Sequence, residues 1–273
     1  MKKTSIYIIL VISLSCSKSE KVKVKNLNGN KVSAFGHSGM GNINIYPRNS
    51  FESLLKSLNL GSDGTELDIQ LTKDNVLIAF HDHDLSTSTN IRGLVRSLNW
   101  SEIKYGRYSK PLYSNYSIIS LDQLFSNIKN LHSYIFTFDC KLYPKNADKT
   151  KYYNDYVNAL NSTINKYSLG NSFIESQDIN FLKLLQLENS NYKLFINRDD
   201  FNKGMKIAQD FNLYGISNST KNITKEQVSI AHDNNIFITI WEVKSKSDNK
   251  IGVDKFPDFI QTDKIKNLLN IVK

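Results

Sequence analysis

The chain has 273 residues, 40% of them hydrophobic and 11% aromatic, enough to bury a large core in one or two domains. Its formal charge of +9 is concentrated in residues 1–31, which hold seven lysines and one glutamate and leave only +3 for the rest. No basic patch interleaved with aromatics stands out, so nucleic-acid binding is set aside.

In chain order, Lys2 and Lys3 precede an apolar run over 6–14, too short to span a membrane as a mature helix. Residues 1–15 read as an export signal. Ser13-Leu14-Ser15-Cys16 resembles the lipobox of bacterial lipoproteins, with Ser13 where leucine is usual. The resemblance implies cleavage before Cys16, acylation of Cys16, and anchoring to a membrane of the bacterial cell envelope, facing the periplasm or exterior. A plain signal peptide cut nearby is the alternative. Residues 16–31 read as a polar tether. With Cys16 lipidated, Cys140 has no disulfide partner and is expected as a small buried core residue.

From residue 32 onward, short apolar runs alternate with amphipathic segments. Residues 32–36 form a candidate strand ending at His37. Asn49 or Ser50 caps a helix running through Leu58, with Glu52 in its first turn. Strands are expected at 65–71 and 76–80. Residues 84–118, rich in Ser, Tyr, Asn and Arg, read as a loop or small insertion over a site. Residues 121–128 are helical in period and 133–141 form a strong strand. Residues 148–167 form a long helix with Tyr153, Val157, Leu160 and Ile164 on one stripe. Short strands follow at 172–175, 193–196, 213–216, 236–241 and 258–261, with helices near 178–187, 200–211, 224–233 and 264–272. This α/β alternation predicts a (β/α)8 TIM barrel, one domain over 32–273. A doubly wound open sheet is the alternative, but Gly39-Met40-Gly41 is not spaced as a dinucleotide fingerprint.

Barrel active sites lie at the C-terminal ends of strands. That filter selects His37 after the first strand, Glu66 and Asp68 on the second, and His81 closing the third. Asp139 and Lys141 share a face of the next, Trp241 and Glu242 end a late strand, and Thr262-Asp263 follows the last. Glu66 and Asp68, at i and i+2, point to the same side of their strand and repel each other unless a cation sits between them. His81 can move a proton near neutral pH.

The stretches Gly36-His37-Ser38-Gly39, Pro47-Arg48-Asn49-Ser50, Gly64-Thr65-Glu66-Leu67-Asp68 through Asp74, and Phe80-His81-Asp82 resemble the glycerophosphodiester phosphodiesterase family, within the phospholipase-C-like phosphodiesterases. Phe138-Asp139-Cys140-Lys141, Ile240-Trp241-Glu242-Val243 and residues 257–263 continue the likeness, collinear from Ala34 to Asp263. The resemblance implies metal-dependent hydrolysis of a glycerophosphodiester to glycerol phosphate and an alcohol. It makes His37 and His81 the general acid and base, and Glu66 and Asp68 ligands of Ca²⁺ or Mg²⁺. Asp139 stands where the family has a third ligand, a glutamate, and Lys141 matches a phosphate-contacting lysine. Trp241 is expected either to pack against a glycerol or choline moiety of the substrate or to be a barrel-core tryptophan. Two positions depart from the pattern: His-Arg is His37-Ser38, and Pro-Glu-Asn is Pro47-Arg48-Asn49. Arg48 is therefore expected to touch the phosphate in place of the arginine absent at Ser38, or else to be a surface residue at a helix start.

Two other readings stay open. His81 and His83 form a His-x-His pair of the kind found in zinc hydrolase barrels, although hard oxygen donors dominate here. The two departures also fit a catalytically impaired barrel that binds phosphodiesters. His132 and His232, in or beside helical stretches, are expected to be structural.

Overall fold

The computed structural model describes residues 24–42, 45–144 and 148–273. The expected export signal and the expected lipid anchor at Cys16 lie outside the described residues. No helix among the described residues is long and apolar enough to cross a membrane.

Eight parallel strands close into a barrel: β1 (Ser33–Gly36), β2 (Gly64–Leu71), β5 (Ile135–Cys140), β6 (Phe173–Ser176), β7 (Lys193–Asn197), β8 (Gly215–Ser219), β9 (Phe237–Val243) and β10 (Phe259–Thr262). Closure runs through β1, which pairs with both β2 and β10. Helices α1 (Phe51–Asn59), α4 (Lys149–Lys166), α5 (Ile179–Glu188), α6 (Phe201–Asp210), α7 (Lys225–Asp233), α8 (Lys246–Val253) and α9 (Ile265–Val272) cover the outside. The fold is the expected TIM barrel. Helix α8 was not legible in the sequence because Lys246, Ser247, Asp248, Asn249 and Lys250 show no apolar stripe; a capping box from Ser245 and Asp248 starts it instead.

The strand expected at 76–80 is corrected. β3 (Leu77–Ala79) is not a stave of the barrel but runs antiparallel to the upper end of β2, with Leu71 opposite Leu77 and Ile69 opposite Ala79. A parallel return needs a crossover of a dozen or more residues, whereas only 72–76 are available. The turn is built by Asn75 at φ 62° and by Thr72, whose backbone bonds Val76 O at 3.0 Å. β4 (Ile119–Ser120) adds to β3.

Between β3 and β4, residues 84–118 form a folded insertion containing α2 (Trp100–Ile103). Its own core holds Leu85, Val95, Ile103, Tyr108 and Ile118 with Ile78 and Phe80. α3 (Leu121–Ser126), begun by a capping box at Ser120 and Gln123, leads back to the barrel.

The barrel interior is layered by strand alternation. Ile135, Phe173, Phe237 and Phe259 are the first residues of their strands, and together with Phe35, Phe195 and Tyr214 they form an aromatic plug at the N-terminal end. Phe173 and Phe259 meet with ring centroids 4.6 Å apart. Two residues further along come Thr137, Glu175, Thr239 and Gln261, all buried. Two further still, Asp139 and Trp241 reach the mouth. The main apolar core lies between strands and helices, with Cys140 buried in it as expected. Each fully buried Leu, Ile or Phe there contributes about 1.5–3 kcal/mol.

Residues 24–31, placed in the polar tether by composition, fold back under the barrel. Lys25 bridges to Lys31, and buried Asn26 donates to Asp258 Oδ1 at 2.6 Å. Asp258 Oδ2 also receives His232 Nε2 at 2.9 Å and the Ile238 amide at 2.7 Å. His232 is thus a buried structural residue at the end opposite the mouth, while His132 is exposed.

Candidate active site

Three strands and two loops bring the predicted residues together. Glu66 and Asp68 point inward from β2, both about 1% exposed, and Asp139 lies opposite Asp68 in the β2–β5 register. One carboxylate oxygen from each of Glu66, Asp68 and Asp139 lies within 4.8 Å of the others. Glu66 Oε1 is buried and lacks a hydrogen-bond partner among the described residues. Three oxygen donors, one of them orphaned away from water, fit a hard divalent cation. No group of three or more metal-donor side chains among the described residues contains His81 or His83. His83 instead stacks on Tyr143, with centroids 4.3 Å apart.

The remaining oxygens of this cluster are held by the loop after β1. Ser38 has φ 47° and Gly39 φ 87°, and a Cβ on Gly39 would lie 2.5 Å from the Ser53 carbonyl carbon. This left-handed coil sits tightly on α1 and turns the Ser38 amide to Glu66 Oε2 at 2.6 Å and its Oγ to Asp68 Oδ2 at 2.9 Å. Ser50, not Asn49, caps α1 by accepting the Ser53 amide. Asn49, at φ 62°, donates Nδ2 to Asp68 Oδ2 at 2.7 Å and accepts the Asp68 amide at 3.0 Å. Ser38, which lacks the guanidinium of the family pattern, is here a fully buried support of the carboxylates.

Lys141 Nζ lies 2.6 Å from Asp139 Oδ2 and 3.0 Å from Asp68 Oδ1. Burial disfavours its charge, but Asp68 and Asp139 outweigh that and hold its pKa above the ordinary lysine range. Burial and the neighbouring Asp68 push Glu66 up to about 8. Burial pushes Asp68 the same way, yet the positive charges of Lys141 and the two histidines prevail and hold it low. A proton is thus retained at the crowded end of the cluster unless a cation replaces it.

The two histidines are built alike. His37 Nδ1 bonds Asp263 Oδ1 at 2.7 Å, and His81 Nδ1 bonds Asp82 Oδ1 at 2.8 Å. Each ring therefore keeps Nε2 free for proton exchange. Burial opposes a charge on His37, but the Asp263 hydrogen bond and the nearby Glu66 and Asp68 raise its pKa to about 9. Hairpin strand β3 places His81 by bringing the chain back down to the level of the carboxylates, where the Phe80 amide meets Asp68 O at 2.9 Å.

His81, Asp139 and Lys141 line a cleft of about 660 Å³ together with Tyr143, Lys149, Tyr153, Asp178 and Arg198. Arg48 does not line it. Its Nη2 lies 3.2 Å from Asp82 Oδ1. Trp241 is half-buried near the end of β9 with its Nε1 lacking a partner among the described residues, whereas Glu242, at φ 63°, turns to Lys221 and Lys244. Sequence reasoning missed Glu175, buried on β6 in register with Asp139 and bonded by Ser217 Oγ at 3.1 Å and Gln261 Nε2 at 2.8 Å. Burial, with Asp139 and Glu66 nearby, pushes its pKa well above the carboxylate range. Its period-two spacing from Phe173 was the available signal. It also missed Arg198, just past the end of β7.

Residues 37–267 match the glycerophosphoryl diester phosphodiesterase family. A glycerophosphodiester phosphodiesterase of Caldanaerobacter subterraneus subsp. tengcongensis is 25% identical over 249 residues, covering 85% of this chain and 95% of the relative. One from Bacillus altitudinis is 33% identical over 125 residues, covering 43% of this chain and 50% of that relative's length. Among solved structures, an Oleispira antarctica phosphodiesterase in complex with the product sn-glycerol-3-phosphate superposes with a TM-score of 0.77 at 16% identity, covering 88% of this chain and 96% of its own. A glycerophosphodiester phosphodiesterase from Parabacteroides distasonis gives 0.75 at 19% identity, covering 88% and 96%. These two likenesses concern the fold. The match over nearly the whole barrel settles the family: the chain belongs to the glycerophosphoryl diester phosphodiesterases, which are phosphoric diester hydrolases.

Proposed function

We propose that this protein hydrolyses glycerophosphodiesters to glycerol phosphate and an alcohol, with His37 and His81 as general acid and base and a divalent cation, Ca²⁺ or Mg²⁺, held by Glu66, Asp68 and Asp139. The observation that carries the reading is the pairing of two carboxylate-oriented imidazoles with a buried three-carboxylate cluster at one barrel mouth. When bound, the cation supplies positive charge against the phosphate oxygens, where negative charge grows in the transition state.

The chain's own groups do the rest. Lys141, at the edge of the cleft, offers its ammonium to a non-bridging phosphate oxygen. One imidazole accepts a proton at Nε2 from the attacking oxygen, while the other delivers one from Nε2 to the leaving alkoxide. Asp263 and Asp82 keep each Nδ1 occupied, so the proton is exchanged only on the side facing substrate. The indole of Trp241 packs against the glycerol or head group. Product sn-glycerol-3-phosphate in the Oleispira antarctica structure is consistent with this substrate class.

The test is hydrolysis of glycerophosphocholine with Ca²⁺ or Mg²⁺ supplied, reading choline and sn-glycerol-3-phosphate. EDTA should abolish turnover, and His37→Ala or His81→Ala should each lower kcat by about 10²–10⁴-fold. Saturable binding of glycerophosphocholine without release of choline would instead identify a phosphodiester-binding barrel. We propose as well that the chain is exported and anchored by lipid on Cys16, on the strength of Lys2, Lys3, the apolar run and the Ser13–Cys16 motif. Labelled palmitate incorporated equally by the parent and Cys16→Ser would refute the anchor.

A further inference from the structure

The geometry points to Arg48 as a positioning residue for His81, acting through Asp82 rather than on the phosphate. This assignment rests on the reading of His81 as a proton carrier. Three donors converge on one carboxylate. Asp82 Oδ1 accepts both His81 Nδ1 at 2.8 Å and Arg48 Nη2 at 3.2 Å, and Oδ2 accepts Ser88 Oγ at 3.0 Å.

The backbone around this carboxylate is equally fixed. Gln70, on β2 beside the metal-binding carboxylates, donates Nε2 to Phe80 O and Asp82 O, both at 2.8 Å. The Tyr108 hydroxyl, from the insertion, donates to Arg48 O at 3.2 Å. The His81-Asp82 dipeptide therefore stands as a wall with a cavity on each side. The 660 Å³ cleft with Lys141 and Asp139 is lined by His81 but by neither Asp82 nor Arg48. A second hollow of about 300 Å³ is lined by Arg48, Asp82, Ser88, Tyr108 and Lys110 but not by His81. The Arg48 guanidinium lines this second hollow and not the cleft, and it bonds Asp82 there.

A carboxylate oxygen shared by an imidazole and a guanidinium cannot rotate without breaking a charge-assisted bond, so Arg48 fixes the plane in which His81 points Nε2 into the cleft. On the other side of the mouth, no lysine or arginine lies within ion-pair distance of Asp263 among the described residues, and its carboxylate holds His37 without such a brace.

The experiment is a double-variant cycle on the full chain with Ca²⁺ and glycerophosphocholine. Arg48→Ala should lower kcat about 10–100-fold while KM stays within about twofold. Arg48→Lys should recover much of the loss. Arg48→Ala in an Asp82→Asn background should cost nothing further, because the brace acts only through that carboxylate. A rise in KM at constant kcat, or losses that multiply in the double variant, would overturn the assignment in favour of direct phosphate contact. Kinetics of Arg48→Ala equal to the parent would overturn it in favour of a bystander at a helix start. If Arg48→Ala fails to fold, the comparison of Arg48→Lys and Arg48→Gln decides: only the charged variant should retain kcat. A parent without turnover would sink the catalytic reading itself, whereas an active parent with any of the contrary patterns sinks only the role of Arg48.

Discussion

At the scale of single residues, the site is governed by the cost of crowding carboxylates away from water. Glu66, pushed up to about 8 by burial and Asp68, and His37, raised to about 9 against its burial by Asp263 and the carboxylates, both bind protons more tightly folded than unfolded. The folded state then holds more protons than the unfolded one, so stability falls as pH rises. For Glu66 this fall begins above its ordinary value of 4.5 and ends near 8; for His37 the stabilisation is complete below 6.5 and gone above about 9. The metal-free protein should therefore lose stability steadily from about pH 5 to 9, read as the urea midpoint in EDTA. On the proposed cation site, a bound cation takes the place of those protons, so Ca²⁺ binding near pH 7 should release protons. Calorimetry in buffers of different ionisation enthalpy measures that release. Binding with no proton exchange would mean that Glu66 and His37 are already in the forms the cation requires. The same crowding explains Ser38: its amide and hydroxyl both serve Glu66 and Asp68, a role that a bare dipeptide motif does not disclose.

At the scale of elements, the decisive pair is β2 and its hairpin partner β3. β2 carries Glu66, Asp68 and Gln70 on one face, and the 72–76 turn returns His81 to their level. The brevity of that turn was visible in the sequence and already forbade a parallel third stave, which periodicity alone does not reveal. β2 is also locked to β5. Gly64 sits where a Cβ would lie 1.9 Å from the Ile135 carbonyl oxygen. Gly64→Ala should force the two strands apart and cost about 1–3 kcal/mol, with activity falling further because Asp139 sits on the displaced strand. Chemical denaturation together with Ca²⁺ affinity checks this. Unchanged affinity in a destabilised variant would show that the strand ends are held independently. The insertion over 84–118 is an element in its own right: its small core lets Ser88 and Tyr108 hold Asp82 and the Arg48 backbone.

At the scale of the whole molecule, the barrel separates stability from chemistry along its axis. The aromatic plug and the Asn26–Asp258–His232 cluster close the N-terminal end, and the polar layer with Glu175 leads up to the mouth. Asn26→Ala leaves a buried carboxylate oxygen of Asp258 short of a donor and should cost about 1–3 kcal/mol without changing kcat. A chain beginning at residue 24 should keep the parent's thermal midpoint, and one beginning at residue 32 should not. Equal midpoints would return 24–31 to the tether. The sequence by itself determined the alternation that makes a barrel, and the residue types Glu66, Asp68, His81, Asp139 and Lys141 at strand ends, because period-two spacing and strand order are local properties. It could not determine where the loops turn their side chains. That Arg48 bonds Asp82, that Asn49 serves Asp68, and that Glu175 lies buried beside Asp139 depend on contacts between residues 19 to 86 positions apart. Only closure of the barrel brings such residues within hydrogen-bond distance, so only the tertiary structure decided them.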